Sequence, residues 1–187
     1  MTVAIGRHSP TWRPSFAQFC SLELLMSLSV RQLTTSDVAL MEALLATFGD
    51  AFDDVDTYTG NRPSADYLRR LLGSDYFIAL AASKDDEIVG GIAAYELRKF
   101  EQERSEVYIY DLAVAAAYRR EGIATALIEE LKKIAAMRGA HVIFVQADTG
   151  GEDEPAIAFY TKLGTREDVL HFDIAVDGGG DSAARHR

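Results

Sequence analysis

The sequence contains few of the residues that mark several protein classes. Among 187 residues there is one cysteine, Cys20, which excludes an internal disulfide framework and predicts a reducing, cytoplasmic location. The four histidines, His8, His141, His171 and His186, are scattered, so no metal-ligand cluster is expected. No apolar run is long enough to cross a bilayer, and no membrane partner is expected.

Basic residues are also few. There are 19 lysines and arginines against 29 aspartates and glutamates, which gives a net charge of −10. This balance argues against a nucleic-acid partner and favours a cationic one. The hydrophobic content of 48% is ordinary for a globular domain. We assign the domain to residues 28–176, with an extension of uncertain role at 1–27 and a glycine-rich flexible tail at 177–187.

Hydrophobic periodicity predicts a mixed α/β (α+β) fold. Alternation and β-branched residues predict strands, and apolar residues three to four apart predict helices. The predicted strands are 28–33, 76–82, 87–97, 103–114 and 141–147, followed by a strand pair over 165–176; the predicted helices lie within 38–48, 63–73, 123–138 and 155–163. Gly90-Gly91, inside a strand, predicts a bulge or close packing, and the strand at 141–147 is expected to be buried because its apolar run is nearly continuous.

A strand, a basic loop and a helix follow one another in the middle of the chain. The strand contains residues 107–114, and the loop is Arg119-Arg120-Glu121-Gly122. The helix begins at Ile123, and its first N–H groups have no intrahelical partner. The helix dipole adds partial positive charge there, so the loop is a suitable seat for phosphate or pyrophosphate. An ordinary corner with solvated arginines is the alternative.

Three motifs resemble those of the GNAT superfamily of N-acetyltransferases and follow one another along the chain in the order typical of that family. Arg119-Arg120-Glu121-Gly122-Ile123-Ala124 resembles its acetyl-coenzyme A loop, Gln/Arg-x-x-Gly-x-Gly/Ala. Leu112-Ala113-Val114 resembles its strand end, and Phe159-Tyr160 its helical aromatic pair. The chain more narrowly resembles the aminoglycoside 3-N-acetyltransferases that modify gentamicin. The stretches that carry this are 77–82, 99–102, 108–114, 145–148 and 171–173, and the resemblance covers about residues 28–175.

The resemblance implies a fold and a cofactor. The fold is a mixed central sheet of about six to seven strands with a splayed parallel pair and flanking helices. The cofactor is acetyl-CoA, which leaves coenzyme A as product, and the assembly is a homodimer. The implied cofactor-binding residues are Leu112, Ala113, Val114, Arg119, Arg120, Gly122, Ile123, Ala124, Thr125 and Tyr160. Tyr160 is also the implied acid for the departing thiolate, with a core or rim tyrosine as the alternative.

Three carboxylates are candidates for the catalytic base, in the order Asp148, Glu106, Asp111. Asp148 ends a strand on the side where substrates approach in the family. Alternation along the strand puts Glu106 on the face of Tyr108 and Tyr110, and Asp111 on the other face unless a bulge intervenes. Asp111 is also a candidate structural carboxylate that bonds loop N–H groups.

The predicted substrate is an aminoglycoside, a cationic small molecule. The acidic residues expected to rim the cleft are Asp53, Asp54, Asp56, Asp148, Glu152 and Asp153, and the substrate also meets Tyr110 and Asp111. Solvated acidic loops are the alternative. The predicted reaction is direct acetyl transfer in a ternary complex to the 3-amino group of the 2-deoxystreptamine ring, which confers resistance. Two other functions stay open: acetylation of a polyamine, peptide N-terminus or lysine, and acetyl-CoA binding without turnover.

Overall fold

The computed structural model describes residues 28–172, 174 and 176, with the side chain of Glu152 left out. The predicted extension 1–27 and tail 177–187 lie outside this range. The chain divides into two compact units, one up to Gln146 and one from Ala147 onward, and each is described by itself. Of the helices in the described range, none has the length and apolar character needed to cross a membrane.

The described part of the first unit contains one mixed sheet and three α-helices. The strands are β1 (Leu28–Gln32), β2 (Phe77–Lys84), β3 (Glu87–Arg98), β4 (Ser105–Val114) and β5 (Ala140–Val145), in the spatial order of their numbers. The helices are α1 (Val38–Ala51), α2 (Ala65–Leu72) and α3 (Ile123–Met137). Strands β1 to β4 are antiparallel, and β5 is parallel to β4. The predicted mixed α/β architecture is therefore confirmed.

The described residues form five strands rather than the predicted six to seven. In the second unit they form α4 (Glu154–Thr161), and residues 165–172, where a strand pair was predicted, contain no strand. Val169, Leu170 and Phe172 are exposed there, so strand pairing has no apolar burial to stabilise it in this segment. Strand β5 was predicted to be buried, but Val142 is exposed because β5 is the last strand of the described sheet.

Both faces of the sheet are covered by helices. On one face α1 and α2 contribute Leu44, Phe48 and Leu68 to a core that includes Ala93 of β3 and Ala113 of β4. On the other face α3 packs across the strands with its buried stripe, which contains Ile123, Leu127, Ile128, Leu131, Ile134 and Ala135. Strands β2, β3 and β4 therefore present alternate side chains to two different helical layers.

Gly91 explains how α1 can lie so close to the sheet. A Cβ atom added at this position would lie 2.5 Å from Leu44 Cδ1, a distance that real Cβ atoms do not adopt. The Gly90-Gly91 pair was predicted to mark a bulge or close packing, and at Gly91 close packing is what the structure shows.

Candidate active site

Strand β5 ends before β4 does. Residues 105–109 of β4 pair with residues 140–145 of β5, whereas β4 continues to Val114 with β3 as its strand partner. Within the described part of the first unit, the main chain from Tyr110 to Val114 is therefore paired on one side only. An extended ligand with amide groups, such as a pantetheine arm, can bond to such an edge. The splayed parallel pair that the family resemblance implied stays a prediction.

A β-bulge in β4 decides where Asp111 lies. In the register with β3, Ala93 faces Asp111 and Ala94 faces Ile109, so Tyr110 is the extra residue. One extra residue shifts the alternation, and Asp111 joins the face that α1 covers. The simple alternation rule put Asp111 on the other face unless a bulge intervened, and the bulge does intervene.

Asp111 is a half-buried carboxylate bonded to a tyrosine. The Tyr58 hydroxyl donates to Asp111 Oδ1 at 3.1 Å. Burial raises the pKa of Asp111 to about 6, while the Tyr58 hydrogen bond opposes this rise. Burial and the charge of Asp111 hold the pKa of the Tyr58 phenol well above its usual value. Asp111 is thus mainly ionised at neutral pH and still able to accept a proton.

Tyr58 was not among the predicted site residues. It lies in a π-helical turn, Asp56–Gly60, that follows α1. Its ring lies 6.0 Å from that of Phe48 and 5.8 Å from that of Phe52, so α1 holds it beside β4. One pattern in the sequence could have indicated Tyr58: it is an aromatic residue in an acidic loop that directly follows an amphipathic helix.

The other two base candidates have different surroundings. Glu106 Oε1 forms an ion pair with Lys99 Nζ at 3.2 Å and lies 3.5 Å from His141 Nε2. Its carboxylate is therefore already engaged by two neighbouring side chains. Asp148 belongs to the second unit, where its side chain is exposed and its N–H donates to Asp153 Oδ2 at 2.9 Å.

Tyr160 lies on α4 in the second unit, where burial and the charge of Asp153 raise the pKa of its phenol to about 12. A phenol with this pKa keeps its proton at neutral pH and can donate it.

The loop before α3 has the geometry of an anion seat. Gly122 precedes the helix with φ of +85°, and a Cβ atom there would meet nothing within 4 Å. The first intrahelical bond runs from Ala126 N–H to Gly122 O, which leaves the N–H groups of Ile123, Ala124 and Thr125 without intrahelical partners. No side-chain cap at Gly122 occupies them. These groups and the open space fit a pyrophosphate.

The two loop arginines differ. The guanidinium of Arg119 donates to Val114 O at 3.1 Å and to Ala51 O at 3.4 Å, so it joins the loop to β4 and α1. Arg120 is exposed and adopts a positive φ of 70°. Arg119 therefore shapes the loop and adds positive charge at longer range. The main-chain N–H groups are the direct hydrogen-bond donors to an anion.

The predicted acidic residues occur in both units. Asp53 and Asp56 are exposed near the end of α1, and Asp54 Oδ1 accepts from Thr57 N–H at 3.2 Å. The first unit thus brings Asp54, Tyr58, Tyr110 and Asp111 into one neighbourhood. Asp148 and Asp153 lie together in the second unit, and the side chain of Glu152 lies outside the described set.

Comparison with known proteins decides the family. Residues 39–165 match the acetyltransferase (GNAT) family. The chain belongs to the GNAT acetyltransferases. GNAT enzymes use acetyl-CoA, and the open N–H groups at α3 and the one-sided edge of β4 fit that ligand.

Solved structures narrow the comparison. An aminoglycoside acetyltransferase from an uncultured soil metagenomic sample is 74% identical, with a TM-score of 0.80, and the match covers 81% of this chain and 99% of that one. A second one, also from an uncultured soil metagenomic sample and in complex with sisomicin, is 28% identical, with a TM-score of 0.75 and coverage of 82% and 99%. The aminoglycoside N-acetyltransferase AAC(6′)-Iy in complex with CoA is 16% identical, with a TM-score of 0.62 and coverage of 80% and 95%, and shows the fold alone. No curated protein matches the chain.

Proposed function

We propose that this GNAT enzyme transfers an acetyl group from acetyl-CoA to the 3-amino group of the 2-deoxystreptamine ring of gentamicin-type aminoglycosides. Transfer is direct, within a ternary complex, and confers resistance. The observation that carries the proposal is the Asp111 carboxylate beside the one-sided main chain of Leu112, Ala113 and Val114. The identity of 74% to an aminoglycoside acetyltransferase supports the substrate class.

The chain's own groups have distinct roles in this proposal. The N–H groups of Ile123, Ala124 and Thr125 bind the pyrophosphate, and Arg119 and Arg120 add positive charge. The main chain of residues 112–114 lies beside the pantetheine arm, where one N–H polarises the thioester carbonyl. Acetyl-CoA supplies the acetyl group as a thioester when bound.

Asp111 replaces Asp148 as our first candidate for the proton acceptor. It is partly removed from water and is held by Tyr58, whereas the Asp148 side chain is exposed and Glu106 is ion-paired. The acceptor nitrogen forms a bond to the acetyl carbon, and the carbon–sulfur bond breaks. The nitrogen passes its proton to Asp111, and the departing thiolate takes up a proton, for which the family resemblance nominates Tyr160.

The acidic loops recognise the cationic substrate. Asp53, Asp54 and Asp56 attract the ammonium groups of the drug. The same role for Asp148, Glu152 and Asp153 is proposed from the sequence. The net charge of −10 acts in the same direction at longer range. The homodimer and the cytoplasmic location predicted from the sequence remain part of this proposal.

The test is acetyl-CoA turnover with gentamicin, kanamycin, spermidine and a lysine peptide in parallel. We expect gentamicin to be acetylated, and NMR of the product to show the acetyl group on the 3-amino nitrogen. Acetylation of a different nitrogen would contradict the proposed position. Good turnover of spermidine without turnover of any 2-deoxystreptamine drug would favour a polyamine acetyltransferase instead.

A further inference from the structure

Five aromatic side chains form a continuous row across the sheet of the first unit. Neighbouring ring centroids are 6.4 Å apart for Tyr76–Tyr95, 5.9 Å for Tyr95–Tyr110, 6.0 Å for Tyr110–Tyr108 and 5.0 Å for Tyr108–Phe144. The row, called the aromatic row below, crosses β3, β4 and β5. It passes over the last pairs between β4 and β5.

The aromatic row is accessible at its centre. Tyr110 is 63% exposed and Tyr76 is 49% exposed, large values for aromatic side chains in or next to strands. Within the described residues, the hydroxyls of Tyr95 and Tyr110 have no hydrogen-bond partner, whereas Tyr108 donates to Gln146 Oε1 at 3.0 Å. The row therefore offers ring faces together with free hydroxyl groups.

The aromatic row leads directly to Asp111. Tyr110 is its chain neighbour, and the bulge places Asp111 on the same side of the sheet as Ala93 and Tyr95 of β3. Burial is the largest cause that raises the pKa of Tyr95 and of Tyr108, and the charge of Asp111 raises both further. The Asp111 carboxylate therefore lies within electrostatic range of both rings. Ring faces attract cations, and their edges pack against aliphatic C–H groups.

We infer that the aromatic row holds the sugar-like rings of a cationic acceptor while one of its amino groups meets Asp111. This inference deepens the proposed function and rests on it. An apolar protein partner would not use the free hydroxyls, and the net charge of −10 disfavours an acidic partner. A multi-ring amine with hydroxyls uses all three features: π faces, hydroxyls and carboxylate. The row then selects ring-bearing amines over linear polyamines of similar charge.

The experiment compares ligand affinity in four proteins by calorimetry. They are the parent and the variants Tyr110→Leu, Tyr110→Phe and Phe100→Leu. Phe100 is the matched control, because it is fully exposed on the turn between β3 and β4 and outside the aromatic row. The ligands are gentamicin and kanamycin, which carry rings, and spermidine, which does not.

We expect Tyr110→Leu to weaken binding of gentamicin and kanamycin by about 3- to 30-fold, the range for loss of one cation–π and stacking contact. Tyr110→Phe should lose less, since the ring face remains, and Phe100→Leu should bind like the parent. Spermidine affinity should fall clearly less than that of the ringed ligands in Tyr110→Leu, since spermidine can lose only the cation–π part of the contact and has no ring to pack on Tyr110.

The outcomes separate this inference from the proposed function. Unchanged affinity of Tyr110→Leu for both ringed ligands overturns the inference and leaves the function standing, and so does an equal loss for spermidine. No binding of any ringed amine to the parent overturns both. Tyr110-dependent binding with acetylation at another nitrogen supports the aromatic row and overturns the proposed position. Dissociation of a dimer by Tyr110→Leu, seen by sedimentation, shows that a second copy covers the row and also overturns the inference.

Discussion

At the scale of single residues, Asp111 gives the sharpest test of the mechanism. Burial raises its pKa to about 6, so the parent should lose activity as pH falls through about 6 and the carboxylate becomes protonated. Asp111→Asn should lower kcat/KM by roughly 10²- to 10⁴-fold and remove this acid limb. The measurement is a pH profile of kcat/KM for gentamicin between pH 5 and pH 9.

Tyr58→Phe is the matched variant for that profile. The Tyr58 hydroxyl lowers the pKa of Asp111 by donating to it, so its removal should move the acid limb to higher pH. The contrary outcome is an acid limb that keeps its position in Tyr58→Phe and remains in Asp111→Asn. That outcome would assign the titration to another group and show that Asp111 is not the base.

The same carboxylate also affects stability. The folded pKa of about 6 lies above the usual value of 3.8 for an aspartate, so ionisation of Asp111 costs folding free energy. Its contribution to stability is fully present below pH 3.8 and is lost as pH rises through about 6. In urea unfolding, the stability of Asp111→Asn relative to the parent should therefore increase by about 1–3 kcal/mol between pH 4 and pH 7 and stay level above that. A constant difference across this interval would mean that Asp111 titrates alike in both states.

Tyr160 is the second residue with a testable chemical role. Tyr160→Phe keeps the ring and removes the proton that would reach the leaving sulfur. We expect turnover to fall by roughly ten- to a thousand-fold with little change in coenzyme affinity, as for loss of one general acid. Steady-state kinetics and calorimetry with coenzyme A measure the two effects. Turnover at the parent rate would assign the proton to water or to another group.

At the scale of elements, α3 supplies a matched pair of glycines. Gly122 begins the helix with φ of +85° and Gly139 follows it with φ of +78°, and a Cβ atom at either position meets nothing within 4 Å. Valine at either position should cost a similar amount, about 1–2 kcal/mol, because of strain at positive φ. Only Gly122 lies beside the free N–H groups. Gly122→Val should therefore weaken coenzyme A binding by at least tenfold in calorimetry, and Gly139→Val should not. Equal affinities in the two variants would exclude the loop as the pyrophosphate seat.

The comparison of sequence and structure also belongs to this scale. The strand, loop and helix around Gly122 were predictable because a change from period 2 to period 3.6 and a glycine are local signals. The face of Asp111 was not, since the bulge is a property of the pairing between β4 and β3. Tyr58 was missed for a similar reason: its partner is 53 residues away in the chain. The sixth and seventh strands are not confirmed, because alternation in 165–172 does not report whether a partner strand lies alongside.

At the scale of the whole molecule, net acidity should appear in the salt dependence of substrate binding. Exposed charges are screened over about 10 Å at 0.1 M salt and about 3 Å at 1 M. The KM for gentamicin should therefore rise with salt, because the drug carries several ammonium groups and the enzyme has a net charge of −10. Asp53→Asn should raise KM by about two- to fivefold at low salt, as expected for one exposed contact, and less at high salt.

Asp86→Asn is the matched control, since Asp86 is likewise exposed with positive φ but lies in the turn between β2 and β3. If both variants change KM equally, the total charge attracts the drug; if Asp53 alone matters, the acidic segment after α1 is a specific part of the substrate site. A KM that does not respond to salt would contradict electrostatic recognition and leave the aromatic row and Asp111 to bind the drug at short range.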